Sequence, residues 1–386
     1  MKEVSIKDLG EIVTGHTPPK KDPNNYGGPY PFIKPTDMDV DRRHVVNWEE
    51  SYSEKAFEKY KKAYIPPGAT GVVTIGTVGE KIFQSHIHCF TNQSVNVVKP
   101  SEKYDNDYVY YLLKLNLNKV LSANPGTASG RHHVSKSNFG SIKIRVIPEV
   151  NKQEKIGQIL GRYDDLIENN LKRINLLEQA AQNIYKEWFV NMRFPGHESA
   201  EFDSETGLPE GWKEKNINEV FNIKYGKNLP TSKISTNDKF HVYGASGIMG
   251  FYKEHNAEFK IALITSRGNG SGEVHRTYQD KAFVTNNSFM VWPVEDYRFY
   301  PFYYVTEFLK MLNLKNYCSG SAQPQLTNAS MKNIKGVFPN SKLVNFFKDK
   351  VSPMMEQADL LRIQNDRLKE ARDILLPRLM NQTIEV

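Results

Sequence analysis

Apolar residues recur at heptad spacing in the segment from Gln153 to Asn191. Side chains that are mostly apolar alternate at steps of four and three residues, and Lys, Arg, Glu, Asp or Gln fill most of the positions between them. The positions of this first seam are Ile156, Leu160, Tyr163, Ile167, Asn170, Ile174, Leu177, Ala181, Ile184 and Trp188. The segment contains no proline. The pattern predicts a helix on the order of 50 Å long, at about 1.5 Å per residue, and its seam needs a partner.

The C-terminal part of the chain supplies a second seam with the same spacing, and residue 347 corresponds to residue 156. The positions of this second seam are Phe347, Val351, Met354, Ala358, Leu361, Asn365, Leu368, Arg372, Leu375 and Leu379. One seam in each half of the chain predicts an intramolecular coiled coil. Two prolines interrupt the second pattern. We expect Ser352 to cap a helix that starts at Pro353, after a shorter helix, and Pro377 to end or kink that helix near Leu376.

Each seam contains one asparagine, which allows the direction of the two helices to be predicted. If the helices overlap fully and run antiparallel, Ile156 lies opposite Leu379 and Asn170 lies opposite Asn365. A parallel pair would instead place both amides against apolar residues. A buried amide costs free energy unless it finds a partner, and a matched pair fixes the register. We therefore predict an antiparallel pair with both amides in one layer. The alternative is that both amides point to water where the seam splays apart.

Outside the seams, the chain contains the same series of patterns twice. The opening KEVSIKDLGEIVTG resembles WKEKNINEVFNIKYG, and PPGATGVVTIGTVGEKIF resembles FKIALITSRGNGSGEVHRT. Four further patterns follow in the same order in each half. They are Asn-x-Ser with a β-type run, an aromatic helical pattern, a Gly-Ser/Thr-Ala loop and a closing β-type run. The sequence thus predicts an α/β (α+β) fold, in which two long helices forming an antiparallel coiled coil separate two similar globular domains.

The predicted boundaries follow the changes between these patterns. We expect a first globular domain at 1–150, a central long helix at 151–192, a linker at 193–211, a second globular domain at 212–341 and a C-terminal long helix at 342–386. The linker is assigned from its content of Gly, Pro, Ser and acidic residues and from its lack of periodicity.

Composition narrows the class of protein. Hydrophobic residues make up 39% and charged residues 25%, as in soluble globular proteins. No apolar run is long enough to span a membrane and no apolar signal core is present at Met1, so we expect a cytoplasmic location. The formal charge of +7 favours polyanionic partners. The isolated Cys89 and Cys318 predict neither a disulfide framework nor a metal site.

Candidate catalytic residues are not found, whereas candidate DNA contacts are. There is no GxxxxGK[ST] phosphate loop, and Gly268 to Gly272 is interpreted as a turn because no helical pattern follows it. Glycine-rich loops let the backbone approach phosphates, while cationic, amide and imidazole groups can read base edges. The candidates are Lys20, Lys21, Lys34, Thr74, Thr77, Arg131, His132 and His133 in the first half, and Lys227, Lys233, Arg267, Asn269, Arg276, Gln323 and Gln325 in the second. Each one alone is equally compatible with a solvated surface residue.

Over almost its whole length the chain resembles the specificity subunits of type I restriction-modification systems. The resemblance rests on the duplicated opening, the Thr-loop-Gly-Glu element, the Asn-x-Ser pattern and the Gly-Ser/Thr-Ala loops. It also rests on the helical sequences QEKIGQILGRYDDLIENNLKRINLLEQ and KEARDILLPRLMNQ, and on KEWF followed by LPEGW. The second seam departs from an ideal pattern at Pro353 and Arg372, which weakens the case for continuous pairing there.

The resemblance implies a non-catalytic subunit with two target-recognition domains, each of which reads one half of a bipartite double-stranded DNA target. The helices would set the spacing and dock two methyltransferase subunits, and restriction subunits would join for cleavage. S-adenosylmethionine, ATP and Mg²⁺ are expected on those partners, and no cofactor or metal on this chain. Two alternatives remain, namely the recognition part of a fused restriction-methylation enzyme and an interaction scaffold that does not bind DNA.

Overall fold

The chain divides into two compact units, and each contains one mixed α/β domain together with part of each long helix. The first unit combines Met1–Asn170 with Gln364–Val386, and the second is Leu171–Ile363. The computed structural model describes residues 1–124, 132–320 and 323–386.

In the first unit, short strands and helices precede the first long helix. The strands are β1 (Lys2–Ser5), β2 (Gly10–Thr14), β3 (Tyr26–Ile33), β4 (Glu50–Tyr52), β5 (Thr70–Val73), β6 (Ile82–Gln84), β7 (Phe90–Thr91), β8 (Val95–Pro100) and β9 (Lys143–Val146). The helices are α1 (Glu54–Tyr60), α2 (Asn106–Leu115), α3 (Leu117–Ser122), α4 (Lys136–Ser141) and the long α5 (Val150–Tyr185), which continues as a π-helical turn at Lys186–Val190.

The second domain repeats the order of the strands but, within its described residues, has no counterpart of α1. Its strands are β10 (Lys213–Asn216), β11 (Phe221–Tyr225), β12 (Phe240–Gly244), β13 (Gly247–Tyr252), β14 (Ala262–Thr265), β15 (Val274–Arg276), β16 (Phe283–Val284), β17 (Ser288–Pro293) and β18 (Lys335–Phe338). Its helices are α6 (Ile217–Val220), α7 (Phe302–Met311) and α8 (Asn328–Met331), and the long α9 (Ser341–Met380) follows.

The two domains have the same sheet topology. The strand orders β2-β8-β5-β6, β4-β3-β7 and β1-β9 in the first correspond to β11-β17-β14-β15, β13-β12-β16 and β10-β18 in the second. The parallel pairs also correspond, since β3 pairs with β7 and β12 with β16. The duplication predicted from the sequence is therefore confirmed. The Gly126-Thr127-Ala128 motif and most of its counterpart after Gly320 lie outside the described residues.

The inner strands β5 and β14 of the two larger sheets are buried on both faces, which explains their apolar sequences. In β14, Ala262 and Ile264 belong to the core that contains α7, whereas Leu263 faces a second core with Tyr243 and Val284. Alternate side chains of a strand point to opposite faces. A strand between two cores therefore reads as a continuous apolar run rather than an alternating one.

The long helices run antiparallel within each unit, as predicted. In the first unit, Ile156 and Leu379 share one apolar core. In the second, Ile174 and Leu361 pack together. Within the described residues, no helix combines the length and the apolar character that crossing a membrane requires.

The two asparagines lie in one layer, and the alternative of a splayed, hydrated seam is wrong. Both side chains are buried, and Asn170 Nδ2 donates a hydrogen bond to Asn365 Oδ1 at 2.9 Å. Asn170 Nδ2 also contacts Gln364 Oε1 at 3.1 Å, and Asn365 Nδ2 contacts the Ile167 carbonyl at 3.4 Å. All four residues belong to the first unit. This polar layer fixes the register of the two helices there.

The expected start of a new helix at Pro353 and the expected helix end near Leu376 are wrong, because α9 is continuous from Ser341 to Met380. Proline at 353 removes one backbone donor. Tertiary packing offsets that loss, since Phe347 and Val351 are buried in the domain core. The Tyr303 hydroxyl also lies 2.7 Å from Ser352 Oγ, which itself donates to the Lys348 carbonyl at 2.8 Å. At the second proline, Leu376 and Leu379 fill the core of the first unit in the same way.

Candidate nucleic-acid interface

In the first domain, the loops that follow β2, β5 and β7 meet the segment before α4 at one end of the larger sheet. The His16 amide donates to the Thr91 carbonyl at 2.9 Å, and the Thr74 amide donates to the Ser94 carbonyl at 2.8 Å. The Gly76 amide donates to the His132 carbonyl at 3.1 Å. These backbone bonds hold the loops together in a single surface, which we call the first loop surface.

The structure brings most of the first-half candidates to this surface, but not all of them. Lys20, Lys21, Thr77, His132 and His133 are exposed in its loops. Two others have their polar atoms engaged elsewhere. Thr74 is buried and accepts a hydrogen bond from Asn96 Nδ2 at 2.9 Å, and Lys34 pairs with Glu49 at 2.7 Å and with Glu50 at 3.3 Å. The candidate Arg131 lies outside the described residues.

The second domain has an equivalent surface, formed by the loops after β11, β14 and β16 and the segment before α8. The Lys227 amide donates to the Val284 carbonyl at 3.0 Å, and the Ser266 amide donates to the Asn287 carbonyl at 2.8 Å. Arg267 forms an antiparallel bridge with Gln325. The same backbone connections therefore build this second loop surface.

Five of the seven second-half candidates are exposed on the second loop surface, namely Lys227, Lys233, Arg267, Asn269 and Gln323. Gln325 lies there half-buried. Arg276 does not: its guanidinium is directed to the long helices, where it pairs with Asp359 at 2.6 Å and with Glu178 at 3.0 Å. Strand β15 explains this direction, because Val274 packs against the core that includes the helices, and residues two apart share a strand face.

Glycines shape the corresponding loops in the same way. Gly76 and Gly268 both have φ of +87°, and a side chain at either position would meet no neighbouring atom. This left-handed conformation favours glycine, and the open space leaves the backbone accessible. The loop from Gly268 to Gly272 joins the antiparallel strands β14 and β15. Its interpretation as a turn is confirmed.

The electrostatics of the loop surfaces favour an anionic ligand. Arg267 and Lys227 are exposed, and two carboxylates of these loops, Asp22 and Glu273, are paired with lysines. Lys55 binds Asp22 at 2.6 Å, a hydrogen bond that lowers the pKa of that carboxyl, and Lys315 pairs with Glu273 at 3.0 Å. Cationic and amide groups on one surface can bind phosphates and the edges of bases.

Metal or thiol chemistry has little support. Among the described residues, no group of three His, Cys, Asp or Glu side chains is arranged to hold a metal ion. Burial raises the pKa of the Cys89 thiol to about 12, so it stays protonated at neutral pH. Burial likewise lowers the pKa of His275, which favours its neutral form.

Sequence reasoning missed a cluster of charges where the second domain meets its helix segments. This charged cluster consists of the carboxylates Glu178 and Asp359, which both bind Arg276, together with Lys260 and Arg362. Lys260 binds Asp359 at 2.8 Å, and Arg362 binds Glu178 at 2.8 Å. Burial would raise the pKa of Glu178, but the guanidinium groups of Arg362 and Arg276 outweigh it and leave the pKa below its ordinary value. Glu178, Asp359 and Arg362 each directly follow a seam position, which places them beside the helix interface. The sequence does not show which residues of the domain they bind, because Lys260 and Arg276 are far from them along the chain.

The first domain also has charged contacts with its helix segments, made by different residues. In the connection between β3 and β4, His44 Nδ1 lies 2.9 Å from Glu168 Oε2, and Asp41 pairs with Lys369 at 2.6 Å. Between the helices, the buried Arg372 pairs with the buried Asp164, which also accepts a hydrogen bond from the Tyr111 hydroxyl at 2.5 Å. Arg372, the charged residue at an otherwise apolar seam position, is thus neutralised by Asp164.

Comparison with known proteins gives a consistent picture. The model of the type I restriction modification DNA specificity domain matches residues 1–179 and 209–342. The specificity subunit of the type I restriction enzyme MjaIX from Methanocaldococcus jannaschii is 25% identical, with 97% of this chain and 91% of that protein covered. The EcoR124I/EcoR124II specificity subunit of Escherichia coli is 29% identical over 50% of each chain. The crystal structure of an S subunit from M. genitalium has the same fold, with a TM-score of 0.59, 20% identity and coverage of 98% of this chain and 96% of that one.

Proposed function

The chain belongs to the family of type I restriction-modification DNA specificity subunits, and on that premise we propose that each of its two domains reads one half of a bipartite DNA target. The observation that carries this proposal is the pair of equivalent loop surfaces. The same backbone bonds build both surfaces, but the exposed side chains differ, with His132 and His133 on one and Arg267 and Asn269 on the other. Two loop surfaces with the same backbone arrangement but different hydrogen-bond donors suit the reading of two different half-sites.

The second part of the proposal concerns partners. We assign the long helices to the docking of two methyltransferase subunits, because large apolar side chains are exposed on them. In the second unit these are Leu176, Phe346 and Leu360, and in the first they are Leu166 and Ile374. Burial of exposed apolar side chains is a dominant favourable contribution to protein–protein association. Restriction subunits would join that complex for cleavage.

Chemistry is assigned to the partners. S-adenosylmethionine, ATP and Mg²⁺ would bind to the methyltransferase and restriction subunits, and this chain would act without catalysis of its own. A target adenine must leave the duplex before it can be methylated. The complex would operate in the cytoplasm, where its DNA substrate lies.

The proposal is tested by mapping methylated adenines in DNA from cells that carry this chain with its methyltransferase partner. We expect methylation in one motif of two specific parts separated by a fixed spacer. Exchange of residues 1–148 for the same region of a relative should change one part of the motif and leave the other unchanged. If both parts change, or if no two-part motif is found, the domains do not read half-sites independently.

Binding measurements test the loop surfaces directly. Affinity of the assembled complex for duplex DNA should fall steeply with salt, because log K declines by roughly 0.9 per phosphate contact. Arg267→Gln should cost about 1–3 kcal/mol if the arginine reads a base. Lys335→Gln is the matched control, since Lys335 is exposed in β18 and pairs with Glu214 of β10 at 2.9 Å. Equal affinity and sequence preference in both variants would remove Arg267 from the interface, and Arg131→Gln tests the first domain in the same way.

A further inference from the structure

In the second unit, the recognition domain contacts its helix segments at two separate places. The first place is apolar, where Phe189 of the π-helical turn lies with its ring centroid 5.0 Å from those of both Tyr304 and Phe347. This contact belongs to a large buried core. Apolar burial provides most of the attachment, but the hydrophobic effect itself is non-directional.

The second place is the charged cluster. Glu178 comes from α5 and Asp359 from α9, so the single guanidinium of Arg276 joins the recognition domain to both helices. Asp359 is almost fully buried, and its second oxygen is held by Lys260 at 2.8 Å. A planar guanidinium that binds two carboxylates accepts only a narrow range of directions. This contact therefore constrains the angle of the domain on the helices.

A cavity of about 320 Å³ separates the two places of contact. Residues of the recognition domain on its wall include Tyr243, Ile248 and Glu307, and residues of the helices include Phe347 and Met355. Because side chains do not fill this space, packing does not determine the separation of domain and helices there. The wall residues Glu178, Arg276 and Arg362 belong to the charged cluster, which joins domain and helices beside this space.

We propose that Arg276, held by Asp359 and Glu178, is a positioning residue that fixes the angle of the second recognition domain on its helices and thereby restricts the spacer length that the complex accepts. This inference rests on the proposed reading of a bipartite target. A rotation of about 10° moves a surface about 20 Å away by about 3.5 Å, which is comparable to the rise of one base pair, 3.4 Å along each strand. A small loss of angular restraint therefore becomes a change in spacer selection.

The experiment is adenine-methylation mapping in cells that carry the partner methyltransferase and either the wild-type chain or Arg276→Gln. In the wild type, methylation should be confined to one spacer length. In the variant, methylation at spacers one base pair longer or shorter should rise about tenfold relative to the original spacer, equivalent to about 1.4 kcal/mol of restraint. The bases of both half-sites should stay the same.

Further variants separate positioning from stability. Glu178→Gln keeps the Arg276–Asp359 pair and should relax spacer selection less, and it serves as the test if Arg276→Gln does not fold. Arg298→Gln is the control, because Arg298 forms an exposed ion pair with Glu295 on the same domain, and it should leave spacer selection unchanged.

Each result decides the matter. A wild-type spacer profile in both cluster variants, or loss of methylation at all spacers in both, would overturn the positioning role. A changed base in the second half-site would also overturn it, since Arg276 would then read DNA. If the wild-type chain directs no methylation to a two-part motif, the proposed function itself fails, and the spacer profiles of the variants are not needed to show it.

Discussion

The two units attach a recognition domain of the same topology to the same pair of helices through different charges. In the second unit the buried carboxylate Asp359 obtains its cations from the domain, through Arg276 and Lys260. In the first unit the buried Asp164 is paired with Arg372 of the other helix, and the domain supplies the Tyr111 hydroxyl. Strand order is thus common to both halves, whereas the ionic contacts are particular to each. The apolar pattern specifies the fold and most of the attachment, and the charged contacts differ between the two attachments.

The largest difference between the units should appear when the buried cation of the first is removed. Arg372→Met leaves Asp164 charged and buried, which typically costs about 3–5 kcal/mol. Urea unfolding of the chain measures this loss. Adding Asp164→Asn, which removes the charge but can still accept from Tyr111, should recover most of it. A double variant as unstable as the single one would contradict the buried pair as the cause.

In the second unit, removal of the corresponding cation should cost less. After Arg276→Met, Asp359 keeps Lys260 at 2.8 Å and Arg362 at 3.7 Å. We expect a loss of about 1.5–3 kcal/mol, the range for hydrogen bonds to charged groups. Hydrogen exchange resolved by peptide should place the loss within residues 171–363. An equal loss of protection in residues 1–170 would show that the two units do not respond separately.

The asparagine layer distinguishes hydrogen bonding from charge at the helix pair. Asn170→Leu leaves Asn365 without its buried partner and should cost about 1–3 kcal/mol. Replacing both by leucine should be nearly neutral in stability, because no buried amide is then left unpaired and the exposed Gln364 can bind water. The register should become less well defined, which cysteine cross-linking between the helices can detect. If the double variant is no more stable than the single one, the layer acts through packing.

Acid should weaken the attachment of both domains to the long helices. The loss of stability should be smaller than that caused by removing a side chain, because a protonated carboxyl still forms hydrogen bonds. Burial would raise the pKa of Glu168, but hydrogen bonding and charge from His44 lower it below the ordinary 4.5, and Glu178 is lowered by its arginines. A pKa that is lower in the folded state means stability that is present above about 4.5 and is lost as pH falls through the folded value. Glu178→Gln should remove the second unit's share of this acid sensitivity. Melting temperatures measured between about pH 6 and pH 3 test both statements.

The sequence predicts those features that depend on repeated local patterns. The seams and their antiparallel register could be predicted because heptads and the paired Asn170 and Asn365 are visible in the chain itself. The break at Pro353 was predicted wrongly, because local propensity gave no information on the packing of Phe347 and the contact of Tyr303. Arg276 could not be told apart from Arg267, since only the face of β15 directs it to the helices. Ion pairs between residues almost a hundred positions apart leave no local pattern.

The first unit is built from two separate segments of the chain, and this has a consequence for its folding on the ribosome. Its core contains Leu376, Leu379 and Met380, which follow the whole of the second unit in the chain. The second unit is one continuous segment, Leu171–Ile363, and it emerges from the ribosome before those residues. Domains generally fold as units in the order in which they emerge, but here the first recognition domain is translated before the second and its core is completed after it.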